Sequence, residues 1–253
     1  MSNPSSSREN GSSLRRNILA CLTKLSHGSA PFISTFILIH LTAPVMANIG
    51  GSSLSSQTML LGREYYQTGF GEKYLVLGPL ALHVLSGTTK RLLSPQKQPP
   101  RPLSTLLSWA GYSAALFFLP IHFMTHRVHP TATTAPISGV GPSELDYEFV
   151  KLGLQKWPLA SWFLYTGLVC SVALHMADGT ALIWSTYFRR QGRKQAGGKG
   201  GKWYNRRTKV LAGVVLPVLA GLYAVSKEPL LLFSSMARRY EAVFNSESWI
   251  YRL

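Results

Sequence analysis

Residues 26–48 read SHGSAPFISTFILIHLTAPVMAN, and this stretch decides the fold. No charged side chain occurs between Lys24 and Arg63. A helix needs about 17–25 mostly apolar residues to cross the hydrocarbon core of a bilayer. The stretch therefore predicts a transmembrane helix.

Further apolar segments follow along the chain, most of them bounded by basic residues. Charged residues make up only 14% of the sequence, against about 25% in ordinary soluble domains. This deficit argues against the alternative of a soluble bundle with buried helices. We predict an all-α membrane protein with about five transmembrane helices, arranged as two duplicated hairpins and one extra helix. The later segments are 74–89, 103–125, 158–188 and 210–226.

These segments divide the chain into membrane and connecting parts. The N-terminal part is rich in serine and in basic residues, which weakly resembles a mitochondrial transit peptide, although a short disordered tail is the preferred interpretation. The predicted parts are a basic Ser-rich tail (1–24), a four-helix anchor-like membrane domain (25–188), a basic Gly-rich loop (189–209), a fifth transmembrane helix (210–226) and a C-terminal tail (227–253).

The formal net charge of +16 fits a partner that is anionic. Motifs for nucleic acid are absent, so membrane lipids are the expected partner. Five spans would put 16 basic residues and one acid on one face of the membrane, with nine basic residues and eight acids on the other. The positive-inside rule then places the basic face in the cytosol or matrix and the C-terminus opposite.

An internal repeat carries histidines. Residues 81–88 read ALHVLSGT and residues 173–180 read ALHMADGT, with five of eight positions identical. The segments before them share a second pattern, because Phe36-x2-Ile39-His40 matches Phe118-x2-Ile121-His122. Polar groups inside membrane helices are functional candidates by default.

Paired histidines on facing helices are typical of six-coordinate haem b, which suits electron transfer. The depths of the residues predict His83 with His175 as the first axial pair and His40 with His122 as the second, for one or two haems. The alternative is that each imidazole only bonds a neighbouring carbonyl or hydroxyl. In the haem interpretation, Gly87 and Gly179 make room for the porphyrin, and Lys90 and Arg91 meet its propionates.

Other polar groups are weaker candidates. His122, His126 and His129 have i, i+4, i+7 spacing and could touch a metal. Asp178, the only acid within a span, could bond a cofactor group or a hydroxyl on another helix, or relay protons. No hydrolytic nucleophile–base arrangement is present, so we expect the chain not to be an enzyme.

Residues 25–188 resemble the haem b membrane anchors of succinate dehydrogenases and fumarate reductases. A fungal mitochondrial outer-membrane family with an anchor-like domain is the more similar group. That resemblance implies a role in lipid homeostasis, mitochondrial morphology and vacuole–mitochondrion contacts. The matching motifs are Ser26-His27, His40-Leu41-Thr42, Leu82-His83-x3-Gly87, Ile121-His122 and His175-x2-Asp178-Gly179.

The resemblance also implies an adaptor that recruits a bridge-like lipid-transfer protein through a Pro-x-Pro segment in its N-terminal tail. This tail contains only Pro4, and the one Pro-x-Pro is Pro100-Arg101-Pro102, in a basic-face loop. That segment could substitute, or it could be a stiff turn before a helix. The alternative function is a haem b anchor that passes electrons between quinone and a soluble partner in the inner membrane. A structural scaffold is a third possibility.

Overall fold

A computed structural model describes residues 4–95, 99–188 and 206–251. These residues form helices and connecting loops without any strand, which confirms the all-α prediction. The Gly-rich part of the predicted 189–209 loop lies outside the described residues. The α-helices are α1 (Pro4–Tyr66), α2 (Gly78–Leu93), α3 (Leu106–Ser113), α4 (Leu119–Phe123), α5 (Tyr147–Lys156), α6 (Pro158–Tyr187), α7 (Leu216–Ser226), α8 (Ser234–Ser246) and α9 (Ser248–Tyr251).

Four helical stretches of the described chain are long and apolar enough to cross a membrane. They correspond to the first, third, fourth and fifth predicted segments. The second segment is helical over residues 71–93 but is not among the four. Charged residues at both of its ends reduce its hydropathy, so the five-span count stays a prediction. The four spans are Ser13–Tyr66, Leu106–Thr131, Pro158–Tyr187 and Arg206–Ser226.

Helix α1 is broken at a glycine pair. Gly50 (φ −134°, ψ 22°) and Gly51 (φ 60°, ψ −156°) are non-helical, and the positive φ at Gly51 favours glycine. At about 1.5 Å per residue, the Ser13–Tyr66 stretch of 54 residues is far longer than a bilayer's hydrocarbon core of about 30 Å. The predicted apolar run 26–48 ends two residues before the break, and the predicted N-terminal tail is helical from Pro4.

Each π-helical segment in the described chain ends two residues before a proline. A proline lacks the N–H and its ring clashes with the carbonyl four residues earlier. In each π turn the residue just before the proline donates to the carbonyl five residues earlier, as in Gly78 N–H to Lys73 O. Such local adjustment satisfies the backbone inside a bilayer. The π segments are Gly71–Leu77, Ala114–Phe118, Met124–Val128 and Leu211–Val215, before Pro79, Pro120, Pro130 and Pro217.

The chain separates into two compact units, one of residues 1–38 with 63–102 and one of residues 39–62 with 103–253. In the first unit, Phe36 packs edge-on against Tyr66, with ring centroids 5.2 Å apart. The Arg15 guanidinium donates to the Leu93 carbonyl at 2.8 Å. The first contact joins two parts of α1 to each other, and the second joins α1 to the end of α2.

In the second unit, the last span packs closely on the part of α1 just before the break at Gly50 and Gly51. A Cβ added to Gly221 would lie 1.8 Å from the Pro44 carbonyl oxygen, so only glycine allows this approach. The Asn48 amide donates to the Pro217 carbonyl at 2.8 Å. This bond joins α1 to the last span through the Pro217 carbonyl.

A folded cap follows the spans of this unit at the face that the sequence predicts to be acidic. Helix α5 is almost wholly buried, and Phe149 stacks on Phe244 of α8 with ring centroids 4.4 Å apart. The Tyr240 hydroxyl donates to the Glu144 carbonyl. The region predicted as a C-terminal tail thus contains two helices, α8 and α9, that pack on the loop between the third and fourth predicted segments.

Glu228 ties this cap to the break in α1. Its carboxylate accepts from the Ser52 backbone N–H at 2.9 Å and from the Ser52 hydroxyl. These bonds cap the part of α1 that begins after the break, at Ser52. A Cβ on Gly51 would lie 2.2 Å from the same carboxylate. Burial raises the pKa of Glu228, but the bonds from Ser52 and the Lys151 charge outweigh it and hold the pKa below its usual value. This stabilisation is present above the unfolded pKa and is lost as the pH falls through the folded one.

Lys151 is the cation of the same cluster. Its ammonium is fully buried and lies 2.5 Å from Glu148 and 3.3 Å from Glu228. It also donates to the Pro229 carbonyl at 3.0 Å. All three partners are acceptors, so the ammonium is surrounded by negative or partly negative oxygen atoms.

We expect Lys151→Met to destabilise the fold by about 3–5 kcal/mol, because the variant leaves two carboxylates facing each other without their cation. Thermal unfolding in mild detergent measures the effect. Lys156→Met in the same helix is the matched control: its ammonium is 43% exposed beside Glu241, and such a pair contributes about 0.2–1 kcal/mol. Equal losses for the two variants would contradict the anchoring role of Lys151.

Candidate functional site

His83 lies on α2 and faces α1 within the first unit. Its Nδ1 is 2.9 Å from the Ser26 carbonyl oxygen and 3.3 Å from the Ser29 hydroxyl. Ser29 is itself buried and donates to the same carbonyl at 3.0 Å. The repeat's first histidine is thus held by residues at the start of the first apolar run.

His175 occupies the matching position of the repeat, on α6 in the second unit. Its Nδ1 is 3.0 Å from the Leu107 carbonyl oxygen of α3. A Cβ on Gly111 would lie 2.6 Å from this same Nδ1. Gly111 therefore makes the room that the imidazole needs.

The two contacts fix the same tautomer at both histidines. A carbonyl oxygen only accepts hydrogen bonds, so Nδ1 of His83 and of His175 must carry the proton. Nε2 then holds the lone pair. A metal-binding histidine commonly donates its second ring N–H to a carbonyl in this way, which sets the ring's orientation and raises its basicity.

The repeat's glycines differ from each other in their surroundings. A Cβ on Gly87 would meet no atom within 4 Å, so there is open space beside this turn of α2. A Cβ on Gly179 would meet only the end of Leu107, at 4.0 Å. At neither position does a neighbouring helix come so close that only glycine fits. That these glycines make room for a porphyrin stays a prediction.

The second predicted pair, His40 and His122, comes together in the second unit. Their ring centroids are 5.9 Å apart with the planes 81° from parallel. His126 packs 4.4 Å from His122, and its Nε2 lies 3.1 Å from the Tyr165 hydroxyl. The result is an aromatic cluster of three imidazoles and a phenol inside the membrane domain, in which Tyr165 is the member that the sequence did not predict.

The third member of the spaced trio, His129, points elsewhere. Its Nε2 lies 2.9 Å from a carboxylate oxygen of Glu247 in the cap. Within the described parts of the chain, no three histidine, cysteine or acidic side chains are arranged to hold a metal ion. The i, i+4, i+7 spacing therefore does not gather these three imidazoles into one site.

Asp178 forms an ion pair that the sequence analysis did not identify. It is 2% exposed, and its two carboxylate oxygens accept from the Arg207 guanidinium at 3.1 and 2.7 Å. Arg207 stands at the start of the last span. The bidentate pair neutralises Asp178 and fastens the last span to α6.

Lys90 and Arg91, predicted to meet haem propionates, lie in the last turn of α2. The Arg91 guanidinium donates to the Arg101 carbonyl at 2.8 Å. This bond holds the middle of the Pro100-Arg101-Pro102 segment, whose Arg101 and Pro102 are exposed. The loop is thus tied to the helix end while two of its side chains remain accessible.

The nitrogen atoms of these histidines can be compared with the ligands that a haem iron needs. The Nδ1–H tautomers of His83 and His175 fit axial ligation by Nε2, and the space beside Gly87 fits a bulky group. His83 and His175 belong to different compact units, so their pairing on one iron stays a prediction. The four predicted histidines are of the residue type that ligates haem iron.

Comparison with known families places this region in context. Residues 117–226, somewhat under half of the chain, match the family model for MDM10-complementing protein 1, transmembrane domain. The match begins inside the Leu106–Thr131 span and ends with the last span. It supports the outer-membrane family named from the sequence, while the haem b anchor resemblance stays a prediction. Comparison with curated proteins and with solved structures finds no significant match.

The tautomers can be measured directly. In the haem-free protein at neutral pH, nitrogen-15 NMR should find the proton of His83 and of His175 on Nδ1, because each of these atoms faces a carbonyl. His129 is the internal control and should carry a proton on Nε2, because that atom faces a carboxylate. A proton on Nε2 alone at His83 or His175 would contradict the assignment.

Proposed function

We propose that this chain is a multi-pass protein of the mitochondrial outer membrane that acts in lipid homeostasis and mitochondrial morphology. The main observation behind this proposal is the family match over residues 117–226, which includes the Asp178–Arg207 pair and the last span. The family name describes a protein that complements MDM10. By this proposal the chain also compensates for loss of MDM10.

The charge distribution supports an orientation for this protein. Basic residues are concentrated in the N-terminal tail, in the loop between the second and third segments and in the loop between the fourth and fifth, which five spans put on one face. The positive-inside rule puts such a face on the cytosolic side. The folded cap, with its acidic residues Glu144, Glu148, Glu228 and Glu247, then faces the intermembrane space. An excess of lysine and arginine also favours contact with anionic lipid headgroups.

In the proposed adaptor role, the chain recruits a bridge-like lipid-transfer protein at organelle contacts. The supporting feature is Pro100-Arg101-Pro102, a segment without regular secondary structure in a basic-face loop. Pro-rich segments are already stiff, so binding them costs little conformational entropy. The Arg91 bond to the Arg101 carbonyl holds the segment's centre and leaves Arg101 and Pro102 outward.

We further propose that the repeated helices hold haem b. His83 and His175 would supply the axial nitrogens, with His40 and His122 as the second pair. Bound haem supplies one-electron chemistry. The protein's contribution is to orient each imidazole through its Nδ1–H, as at Ser26 and Leu107.

A redox anchor in the inner membrane is the second candidate function. The tautomers at His83 and His175 favour it, because they suit bis-histidine ligation in a protein that passes electrons between quinone and a soluble partner. A redox anchor would purify with a flavoprotein, whereas an adaptor would purify with a large lipid-transfer protein.

The test is complementation in fungal cells that lack MDM10. We expect the full chain to restore mitochondrial morphology and growth, and Pro100→Ala with Pro102→Ala to abolish rescue while leaving the protein in the membrane. Pro99→Ala, one residue outside the motif, is the matched control and should rescue fully.

Failure of the correctly inserted full chain to rescue would contradict the MDM10-related role. Rescue by the double variant would contradict only the adaptor role of Pro100-Arg101-Pro102 and would leave the MDM10-related role standing. Protease treatment of intact mitochondria adds the location, because the 189–209 loop should be cut before the inner membrane is opened.

A further inference from the structure

The cap carries large apolar side chains on its outer surface. Leu231 is 77% exposed, Phe233 is 87% exposed and Trp249 is 58% exposed. Scattered apolar side chains are ordinary at a surface, but a concentration of large ones marks a contact with a partner or a membrane. These three residues lie in the 25 residues after the last span.

The packing of neighbouring groups holds Leu231 and Phe233 in exposed positions. Leu232, between them, packs into the cap's apolar core with Phe149 and Phe244. The Leu231 backbone N–H donates to the Glu148 carboxylate at 2.9 Å. Because successive side chains of an extended segment point to opposite sides, this arrangement turns Leu231 and Phe233 away from the core.

Trp249 connects the same cap to the lipid-facing side of the spans. Its ring lies 6.2 Å from that of Phe117, which stands near the middle of the Leu106–Thr131 span. Phe117 in turn lies 6.2 Å from Phe163 of α6, which is 60% exposed. Leu116, Phe117 and Trp249 also line a cavity of about 240 Å³.

The chain also marks the level of the membrane surface near this point. The Lys227 ammonium lies 5.1 Å from the centre of the Tyr223 ring, directly after the last span. Lysine and tyrosine at a span's end prefer the headgroup region. Leu231 and Phe233 follow within six residues, so the chain has little length to leave the interface.

We infer that the C-terminal segment 229–251 is a membrane-surface element whose Leu231, Phe233 and Trp249 insert into the leaflet on the cap's side of the bilayer. The occupant of this apolar surface is lipid, because Trp249 continues the lipid-facing aromatic surface of Phe117 and Phe163. Helix α8 turns Tyr240, Val243 and Phe244 into the cap, while Asn245 is exposed.

Spin-label accessibility tests this inference with the full chain in liposomes. Cys21→Ala and Cys170→Ala remove the native thiols, and single labels are then placed through Leu231→Cys, Phe233→Cys or Trp249→Cys. Labels in the acyl region collide more often with dissolved oxygen than with a hydrophilic nickel chelate. We expect that pattern at all three positions, and the reverse pattern at Asn245→Cys as the matched control.

Two results would overturn the inference. Greater accessibility to nickel than to oxygen at Leu231, Phe233 and Trp249 would place the surface in water. Protection of these three labels from both reagents would indicate a protein partner, including a second copy of the chain, in place of lipid. The substituted side chains are exposed, so the cap's core remains intact in each variant.

Discussion

Polar groups that a helix carries into the bilayer must find their partners within the protein, because hydrocarbon offers none. The backbone meets this constraint partly through π turns, in each of which the residue just before a proline donates to the carbonyl five residues earlier. The side chains meet it through fixed pairs: Asp178 with Arg207, and the Nδ1 atoms of His83 and His175 with carbonyls. These pairs join helices that are distant in sequence, so the same bonds that satisfy polar atoms also hold the bundle together.

The same constraint connects the fold to the proposed function. An imidazole has two nitrogens, and the carbonyl contacts of His83 and His175 determine which one carries the proton. A haem iron is a partner that the remaining nitrogen can bind. Outside the bilayer, Glu228 and Lys151 perform the corresponding structural task, because they fasten the break at Gly51 to the cap. The cap therefore has a fixed position relative to the last span.

Much of the membrane architecture could be predicted because long apolar runs have few alternatives to a spanning helix. The meeting of His40 with His122 followed from their depths in their segments. The partner of Asp178 was missed because Arg207 was counted in the basic loop 189–209, where an arginine is treated as a surface residue. Gly111 was missed because its role depends on the close approach of α6, which no local pattern records. Helix α9 has only four residues, so periodicity gave no signal for it. The apolar face of α8, formed by Tyr240, Val243 and Phe244, was a helical signal that was missed.

The most direct test of the account is the reduced-minus-oxidised absorption spectrum of the full chain, purified in mild detergent with haem supplied. Bis-imidazole iron is low-spin, so the account predicts sharp α and β bands that His83→Ala and His175→Ala each abolish or broaden. His27→Ala, near the interface, should leave them unchanged. If two haems bind, His40→Ala or His122→Ala should retain roughly half of the signal, since each removes one of two equal sites. A folded protein without these bands would contradict the account and leave the histidines as packing residues.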